Sequence, residues 1–567
     1  MNWDDNAEAR LAHDLVLHTS MNLFLTGRAG TGKTTFLRTL CQELKKTYVI
    51  VASTGIAALN AEGSTLHSQF KLPTDPYPPA KDPQGSNELL KSVSRDKLMI
   101  IKSLSLIIID EVSMVRADTL QALSDRLCRE RRSSEPFAGV QLLLIGDLYQ
   151  LPPVENEDWK WVQTYYTSSY FFSSIAFKRS TFYFIELKKI YRQREQTFIE
   201  LLESIRTGCS DSSVLKQLNT RVSSEEIHHL APGEVMLTAR RNQSKAYNQK
   251  CLEALKGESV CFEAVCEGEF VSKDAPTEAS LYLKCGAQVM FVRNDAEGLF
   301  VNGEIGIVTD LTEKEVTVSK VGGGMPVKVG KVKWERYAYT LNTSSGKLEK
   351  QSVGTFIQIP LCLAWAITIH KSQGLTFDHV SIQTAGIFAS GQLYVALSRC
   401  RSLAGIQLNA PVPESAVKVD PRIAVFLNYC QEHYTLPEGY TVDIAQSNNQ
   451  SVELSFSTSD YAGIDDYMSE LEDKVYECID TGRPVIELLK ERGVSSGELY
   501  TCVDQLLKDK KVELQKILAP RVLKMLVSYY QFQPELSFSR RRRDIKGFGI
   551  NILELQWSDR WYRYEKA

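Results

Sequence analysis

The sequence predicts an α/β fold with parallel sheets, arranged as two successive sheet domains and a smaller helical region toward the C-terminus. Three observations predict it. Short apolar runs without polar alternation recur between helix-like stretches in the first third of the chain, as in strands covered on both faces. A glycine-rich loop connects the first such run to a helix. A second series of runs begins near residue 191 of the 567.

The strands expected in the first domain are NLFL (22–25), YVIVAS (48–53), LSLIIID (104–110) and VQLLLIG (140–146). Their runs of Leu, Ile and Val favour a parallel sheet with crossover helices on both faces. The Pro-rich stretch KLPTDPYPPAKDPQGS (71–86) cannot be core, and we expect it to form a surface excursion or a small inserted module.

The strands expected in a second sheet are EVMLTAR (234–240), QVMFVRN (288–294), HVSIQ (379–383) and IQLN (406–409). Between Asn294 and Pro360, short β-branched runs alternate with turn residues, which predicts a small antiparallel barrel inserted into this domain.

The stretch 438–460 is rich in Ser, Asn and Gln and is typical of a linker. Helix-like stretches separated by glycines follow it and indicate a helix-turn-helix or winged-helix module. The basic run RRRR (540–543) and the aromatic tail WSDRWYRY (557–564) are equally compatible with auxiliary nucleic-acid binding and with partner docking or a structural role.

Composition narrows the classes of protein further. The net charge is −3, so no overall positive field attracts nucleic acid, and such binding must come from local grooves and backbone donors. No apolar run approaches the roughly 20 residues that span a bilayer, and the first residues lack a signal-peptide core. We therefore expect no membrane partner and a cytoplasmic location. The 12 cysteines include no C-x-x-C pair and are expected to be reduced thiols; the local group Cys251, Cys261, Cys266 and Cys285 matches no zinc pattern.

The loop Gly27-x-x-x-x-Gly32-Lys33-Thr34 follows an apolar strand and opens a helix, which is the setting of a P-loop. Glycines let backbone N–H groups surround phosphates, and the helix N-terminus adds a positive dipole. Lys33 is expected to reach the β- and γ-phosphates, and the Thr34 hydroxyl to bind Mg²⁺. The residues expected to bind the nucleotide are Gly27, Gly30, Thr31, Gly32, Lys33, Thr34, Thr35 and, in the second domain, Gly374.

Two adjacent acids end the apolar strand LIIID (106–110). A carboxylate at the C-terminal end of such a strand lies at the ligand edge of an open α/β sheet. Asp110 is therefore expected to hold Mg²⁺, and Glu111 to polarise the attacking water. Gln150 follows the next apolar strand, where it could touch the γ-phosphate or that water; an ordinary polar loop residue is the alternative.

Other P-loop classes fit poorly. The chain has no N/T-K-x-D guanine motif and no LSGGQ-like signature of a transporter subunit, and a small kinase would not need its length. Arg192 in "KKIYRQREQ" and Arg399 in "YVALSRCRS" are candidates for neutralising γ-phosphate charge across a domain cleft. A lone arginine is, however, more often a surface or salt-bridge residue.

A set of segments in this order resembles the motifs of superfamily 1 helicases: "GRAGTGKT", "ASTGIAALNAEGSTLHSQF", "IIIDEVSMV", "IGDLYQLPPV", "LKKIYRQ", "VNGEIGIV", "AWAITIHKSQGLTFD" and "YVALSRCRS". Within the B branch, which includes RecD-type helicases, the chain is most similar to the petite-integration-frequency (Pif) family. The stretch 117–147 resembles the one that separates Pif-type from RecD-type chains. The resemblance covers roughly residues 10–410 and leaves the region after 436 outside it.

The resemblance implies two RecA-like domains with ATP between them. The division that it implies is 1–68 and 101–190 as RecA-like domain 1A, 69–100 as a wedge insert 1B, 191–294 and 361–435 as RecA-like domain 2A, and 295–360 as an SH3-like barrel insert 2B. Outside the resemblance, the sequence pattern adds 436–460 as a linker and 461–567 as a mostly helical, winged-helix-like C-terminal domain.

The family's roles map onto this chain by position. Asp110 then holds the metal, Glu111 is the base, Gln150 senses the γ-phosphate, and the arginine fingers are Arg192 and Arg399. One departure concerns the recognition of adenine. Such helicases carry a glutamine upstream of the P-loop that reads adenine, whereas the first glutamine of this chain is Gln42, which comes after the P-loop. Backbone groups near 18–22 are the expected substitute.

The implied activity is ATP- and Mg²⁺-dependent 5′→3′ translocation on single-stranded DNA, with unwinding of duplex and forked DNA and of G-quadruplexes. It would be carried out by a monomer, associated with the nucleoid in a bacterial cytoplasm, in DNA replication, repair, recombination or telomere maintenance.

Polar groups beyond the strands of both domains are candidates for DNA contact, because hydroxyl, backbone and cationic donors grip phosphate without demanding a sequence. They are Thr54, Gly55, His67 and Ser68 in the first domain and Thr238, Arg240, Thr368, His370, Lys371 and Ser372 in the second. A lone histidine is more often structural, but both histidines lie in Thr/Ser/Lys clusters, which favours DNA contact.

Two other functions stay open on the sequence. The first is a DNA-stimulated ATPase that acts as an ATP-gated clamp or remodeller without strand separation. The wedge segment near 69–100 is the feature that distinguishes a helicase from such a clamp. The second is a binding module with an inactive ATP site, which the intact Lys33, Asp110, Glu111 and Arg399 argue against.

Overall fold

A computed structural model of the chain describes residues 6–80, 89–155, 157–208, 212–223, 231–268, 270, 275–295, 297–341, 348–436, 440, 442, 474–481, 485–490, 503 and 506. They fall into two compact units. One comprises Met1–Glu155 and Tyr170–Ser451, and the other comprises Asn156–Ser169 and Val452–Ala567.

The first unit begins with a six-stranded parallel sheet, which we call the sheet of the first lobe. Its strands are β1 (Asn22–Gly27), β2 (Tyr48–Ala52), β3 (Ser64–Thr65), β4 (Leu106–Asp110), β5 (Gln141–Ile145) and β6 (Phe182–Leu187). Their order is β3-β2-β4-β5-β1-β6, and every neighbouring pair is parallel. The four strands predicted for this domain are confirmed.

This sheet is covered on both faces, which explains the missing polar alternation. Successive side chains of a strand point to opposite faces. Along β4, Leu106 and Ile108 therefore pack into one hydrophobic cluster, whereas Ile107 and Ile109 pack into another. All four are fully buried, so each of these four positions has to be apolar.

Helices connect these strands and continue through the unit. They are α1 (Ala7–His18), α2 (Lys33–Glu43), α3 (Gly55–Asn60), α4 (Leu66–Phe70), α5 (Arg95–Ser103), α6 (Ala117–Arg131), α7 (Ile175–Lys178), α8 (Gln196–Thr207), α9 (Ser212–Asn219), α10 (Arg241–Ala254), α11 (Gln392–Leu397) and α12 (Pro421–His433). Local signals set several starts. Asn6 caps α1 by accepting the Ala9 N–H, and α12 begins with proline directly after its cap, Asp420.

A second parallel sheet forms the second lobe. Its strands are β7 (Val235–Thr238), β18 (Ala366–Thr368), β19 (Val380–Ile382) and β20 (Ile406–Leu408), in the order β18-β7-β19-β20. Three of the four runs predicted for this sheet are confirmed. Helices α8 and α11 contribute side chains to the hydrophobic cluster of this lobe.

Antiparallel strands lie in sequence between β7 and β18. They are β8 (Val260–Glu263), β9 (Val265–Gly268), β10 (Ser280–Leu283), β11 (Gln288–Phe291), β12 (Ile305–Leu311), β13 (Val316–Lys320), β14 (Val327–Val329), β15 (Val332–Leu341), β16 (Leu348–Gln358) and β17 (Leu361–Leu363). One sheet has the order β14-β13-β12-β11-β17; the others pair β10 with β8 and place β16 between β15 and β9.

The prediction for QVMFVRN (288–294) was wrong. We expected this run in the second parallel sheet, but β11 pairs antiparallel with β12 on one side and with β17 on the other. The run is apolar because β11 is the buried inner strand between them, and a short apolar run of this kind has the same pattern in either sheet.

The long hairpin of β15 and β16 reaches the first lobe. The Tyr339 hydroxyl, on a buried side chain of β15, accepts the Ile50 N–H of β2 at 3.0 Å. Arg336 of the same strand donates to the Ser68 hydroxyl at 2.7 Å. The antiparallel region is therefore hydrogen-bonded to the first lobe.

The second unit is described only in parts. Residues 474–481 are helical, and Val485–Lys490 form a 3-10 turn. In the internal segment of this unit, Trp159 stacks with Tyr166 at 6.2 Å between ring centroids. The basic run 540–543, the aromatic tail and most of the predicted linker and C-terminal domain lie outside the described residues. No helix among the described residues has the length and apolar character required to cross a bilayer.

Candidate nucleotide and nucleic-acid site

The P-loop links β1 to α2, as the sequence predicts. Gly27, Gly30 and Gly32 have positive φ values of 155°, 84° and 86°. A Cβ on Gly30 would lie 2.6 Å from Cβ of Arg192, so the loop passes too close to the chain after β6 for any side chain there. Helix α2 begins at Lys33 without a side-chain cap, which leaves the N–H groups of its first turn facing the loop.

Lys33 lies over this loop. Its Nζ donates to the carbonyl oxygens of Gly27 at 2.6 Å and Arg28 at 3.0 Å. Burial lowers the pKa of Lys33, and the carboxylates of Asp147 and Glu111 act against that shift. The ammonium group is thus held among acceptors at the start of the helix, where a phosphate would meet it.

The two acids at the end of β4 follow the predicted placement at the ligand edge of the sheet. Asp110 Oδ1 accepts the Glu111 N–H at 2.9 Å, and Glu111 has a left-handed φ of 50°. Burial raises the pKa of Glu111, and the neighbouring Asp110 carboxylate raises it further. Burial also raises the pKa of Asp110. Both shifts mean that a cation bound beside these carboxylates would stabilise their charged forms.

The donor set fits a magnesium nucleotide. Carboxylate and hydroxyl oxygens are the ligands that Mg²⁺ prefers, and Asp110 and Thr34 supply one of each. Thr34 and Thr35 are exposed in the first turn of α2, while Thr31 is buried with its hydroxyl bonded to the Arg28 carbonyl at 2.9 Å. Asp110 and Thr34 would hold the metal, which would supply charge neutralisation at the phosphates.

Gln150 lies beyond β5 and is nearly buried, at 7% exposure. Its Nε2 donates to Asp147 Oδ2 at 3.2 Å. Asp147 is buried as well and pairs with Arg206 of α8, Nη2 to Oδ1, at 3.3 Å. The predicted sensor residue is therefore fixed at one end by a buried acid of its own loop.

The two predicted arginine fingers come close to one another but point into the second lobe. Arg192 Nη1 donates to the Ser398 carbonyl at 3.1 Å. Arg399 is 1% exposed; its Nε donates to the Val395 carbonyl at 2.9 Å and its Nη2 to the Ser398 hydroxyl at 2.8 Å. Burial lowers the pKa of Arg399, with Arg192 as a further cause. All three guanidinium nitrogens of Arg399 donate within the second lobe, and the role of both arginines stays a prediction.

Contacts of Tyr394 and Gln373 with the first lobe were not foreseen either. The Tyr394 hydroxyl of α11 accepts the Ala29 N–H of the P-loop at 2.9 Å. Gln373 Nε2 donates to Glu111 Oε2 at 2.9 Å and to Gln150 Oε1 at 3.3 Å. Both residues lie inside motif segments, "YVALSRCRS" and "HKSQG", which marks them as candidates, but the contact across more than 200 positions of chain has no local signal.

The predicted DNA contacts of the first lobe lie around α3 and α4. The Thr54 hydroxyl caps α3 by accepting the Ala57 N–H at 3.2 Å, and Gly55 opens that helix. His67 and Ser68 lie in α4 and are half-buried. The Ser68 hydroxyl already accepts from Arg336, so Arg336 is a cationic neighbour that the sequence did not single out.

The predicted contacts of the second lobe divide into exposed and buried groups. Arg240, His370 and Lys371 are exposed. Thr238 and Thr368 are buried at the ends of paired strands, and the Ser372 hydroxyl, with no exposed surface, donates to the Ile369 carbonyl at 2.8 Å. The exposed three can meet a polynucleotide directly, whereas the buried hydroxyls hold the turn that carries them.

Comparison with known proteins shows which family shares this architecture. A family model described as PIF1-like helicase matches residues 6–215. The Pif1 helicase of Bdellovibrio bacteriovorus is 32% identical over 422 residues, covering 72% of this chain and 89% of that protein. The crystal structure of a Bacteroides Pif1 with ADP-AlF4 superposes with a TM-score of 0.69 at 36% identity, over 75% of this chain and 97% of that one.

The chain belongs to the PIF1-like helicase family.

Family members differ in length. The mouse PIF1 helicase is 32% identical over 452 residues, which cover 77% of this chain but only 64% of the mouse protein. The chain thus spans less than two thirds of that relative. A further structure of the Bacteroides Pif1, bound to single-stranded DNA, superposes with a TM-score of 0.55. The PIF1-like match covers the P-loop, the acids at β4 and the loop of Gln150.

Proposed function

We propose that this chain is an ATP-dependent DNA helicase. The observation that carries the proposal is that one phosphate site is shared by two parallel-sheet lobes: the P-loop of the first lobe is hydrogen-bonded through Ala29 to Tyr394 of the second. A ligand bound there interacts with both lobes and so biases how they sit together.

Such a site converts hydrolysis into movement if each lobe also grips DNA. Polar groups lie beyond strands of each lobe: the half-buried His67 and Ser68 of α4 in the first, and the exposed residues 370–371 in the second. Opening one base-pair step costs about 1.4 kcal/mol on average. A nucleotide that favours the closed arrangement by a few kcal/mol is sufficient to drive one such step.

The reaction is phosphoryl transfer to water. Lys33 and the N–H groups of the P-loop bind the phosphates, and Asp110 and Thr34 would hold Mg²⁺, which would neutralise phosphate charge. Glu111 accepts the proton of the attacking water while Gln150 orients that water. Arg192 and Arg399 are proposed to approach the γ-phosphate as the lobes close.

The finer division of the chain is part of the proposal. We assign 69–100 as a wedge, the barrel at 295–360 as an SH3-like insert, and 461–567 as a helical C-terminal domain. The antiparallel strands β8–β11 precede that barrel, which suggests that the inserted region is larger than the sequence division allows.

The proposed partners are single-stranded and forked DNA and G-quadruplexes, engaged by a monomer in a bacterial cytoplasm in association with the nucleoid. The complex of the Bacteroides Pif1 with single-stranded DNA supports the first of these. Translocation in the 5′→3′ direction rests on the family resemblance.

Unwinding of a fluorescently labelled forked DNA distinguishes this proposal from the alternative functions. The wild-type chain is expected to unwind a duplex with a 5′ single-stranded tail in the presence of ATP and Mg²⁺, and Lys33→Ala is expected to unwind nothing. ATPase activity that DNA stimulates, without any unwinding, would instead identify a clamp or remodeller. ATP turnover that is indifferent to DNA would contradict the proposal.

A further inference from the structure

The amide of Gln373 connects the lobes at the residues proposed to handle water. Gln373 is half-buried in the turn 369–374, which directly follows β18. Its Nε2 lies 2.9 Å from Glu111 Oε2 and 3.3 Å from Gln150 Oε1. An amide nitrogen has two hydrogens. One group of the second lobe can therefore donate to both water-handling residues of the first.

The orientation of both amides follows from their partners. The buried Asp147 carboxylate accepts from Gln150 Nε2, so the Gln150 carbonyl oxygen faces Gln373. Glu111 as a carboxylate is an acceptor too. A flipped Gln373 amide would place oxygen against oxygen at both contacts, so its NH₂ group has to face the first lobe.

The same turn carries two exposed groups proposed to contact DNA, His370 and Lys371. Its backbone is internally bonded: the Ser372 N–H donates to the Thr368 carbonyl at 3.0 Å, and the Gln373 N–H to the His370 carbonyl at 3.3 Å. Arg399 Nη1 donates to the Ser372 carbonyl at 3.4 Å. Because the turn is bonded in this way, a force on His370 or Lys371 moves Gln373 with them.

We propose that Gln373 is a positioning residue that couples DNA binding to ATP hydrolysis by aligning Glu111 and Gln150 from the second lobe. The inference rests on the proposed function. It adds how DNA bound to the second lobe affects the water-activating groups Glu111 and Gln150 of the first lobe. Gln373 contacts neither Lys33 nor the P-loop in its described hydrogen bonds, so its effect should fall on turnover and not on nucleotide binding.

The test compares steady-state ATPase activity of wild type, Gln373→Ala and Gln373→Glu with and without single-stranded DNA. Both variants are expected to lower the DNA-stimulated kcat by about tenfold or more, since a misplaced reacting group costs up to about a hundredfold. KM for ATP and the Kd for single-stranded DNA should stay within about twofold. Gln373→Glu keeps the shape of the side chain but puts a carboxylate against Glu111. The control Gln196→Ala removes an exposed amide on α8 and should behave as wild type.

A double-mutant cycle with Gln150→Ala distinguishes positioning from general damage. If Gln373 acts through Gln150, the double variant should lose much less than the product of the two single losses. Full multiplicativity, unchanged DNA stimulation in both Gln373 variants, or a loss explained by weaker DNA affinity or a lowered Tm would overturn the inference. A wild-type ATPase that DNA does not stimulate would overturn the proposed function itself, and this inference with it.

Discussion

At the scale of single residues, Arg206 and Asp147 form a buried ion pair between the lobes. Arg28 of the P-loop and Glu203 of α8 form a second, more exposed ion pair at 3.0 Å. The Arg206 side chain is 4% exposed and Asp147 is fully buried, with 3.3 Å between Nη2 and Oδ1. The guanidinium also lies over the Tyr149 ring, 4.5 Å from its centroid. Since α8 packs in the second lobe and Asp147 follows β5, each charge has its partner on the other lobe.

Arg206→Ala should therefore destabilise the fold strongly. Removing one partner leaves a buried charge uncompensated, which costs about 3–5 kcal/mol. The matched control is Arg401→Ala, whose pair with Asp378 has side chains that are 61% and 69% exposed and should cost less than about 1 kcal/mol. Urea unfolding followed by fluorescence measures both, and equal losses in the two variants would contradict this account.

Tyr394→Phe should weaken nucleotide binding without removing the ring from the core. The phenol is the acceptor for the Ala29 N–H, and a hydrogen bond of this kind contributes about 0.5–1.5 kcal/mol. The expected result is a Kd for ATP raised by roughly twofold to tenfold, measured by titration with a fluorescent nucleotide. Tyr282→Phe, on an exposed tyrosine of β10, is the control and should leave the Kd unchanged.

The sequence predicts the position of a site residue only when the partners of that residue lie close to it in the chain. The P-loop and the acids Asp110 and Glu111 depend on one strand and the turn after it, so local spacing predicted their placement. Arg206, Gln373 and Tyr394 matter because folding brings the second lobe against the first. Their partners are between 59 and 365 positions away, and no local pattern encodes such a contact.

At the scale of elements, the start of α11 lies directly against the loop of Gln150. Gly391, the residue before this helix, has a φ of 70°. A Cβ there would lie 2.2 Å from the Gln150 carbonyl oxygen and 2.4 Å from that of Tyr149. The helix that carries Tyr394 can approach this loop only because its first neighbour has no side chain.

Gly391→Ala should push the two elements apart and abolish DNA-stimulated ATPase activity. The clash is with backbone, which cannot move aside as a flexible side chain does. Gly330→Ala provides the comparison, because a Cβ at Gly330 meets no atom within 4 Å. It should retain normal turnover. A Gly391→Ala protein with wild-type ATPase rates would show that the close approach is not needed.

At the scale of elements, an apolar sequence pattern does not always determine which sheet a strand joins. Strands covered on both faces gave unambiguous runs in the first lobe, because crossover helices bury both sides of β4. For β11 the same apolar pattern arises from an antiparallel environment, and a four-residue run does not carry the direction of its neighbours. The length of the β15–β16 hairpin and its contact with β2 could not be read from the chain either, since Tyr339 meets Ile50 only after folding.

At the scale of the whole molecule, the first lobe extends beyond the end predicted for the two sheet domains. That end lies at residue 435. Leu436, Tyr440 and Val442 nevertheless pack into the hydrophobic cluster that contains β1 and α1. The segment just after the predicted boundary is thus part of the core of the first lobe.

Two truncated chains test this extension. The chain 1–442 should be more stable than 1–435, because the shorter one exposes part of the apolar cluster around α1. Burying one large apolar side chain contributes about 1.5–3 kcal/mol, so thermal unfolding should separate the two by several degrees. Superimposable melting curves would mean that the packing of Leu436, Tyr440 and Val442 adds nothing. Residues 156–169 are present in both chains, so the difference isolates the segment.

The second unit includes a stretch of chain that begins shortly after Gln150. Asn156–Ser169 leaves the first unit a few residues after that loop, groups with Val452–Ala567, and returns before β6. The second unit therefore consists of two separate stretches of chain, and three chain crossings connect it with the first unit. A protease that cuts the chain near residue 450 should leave both fragments together in a native gel, because residues 156–169 of the larger fragment belong to the same unit as the C-terminal fragment.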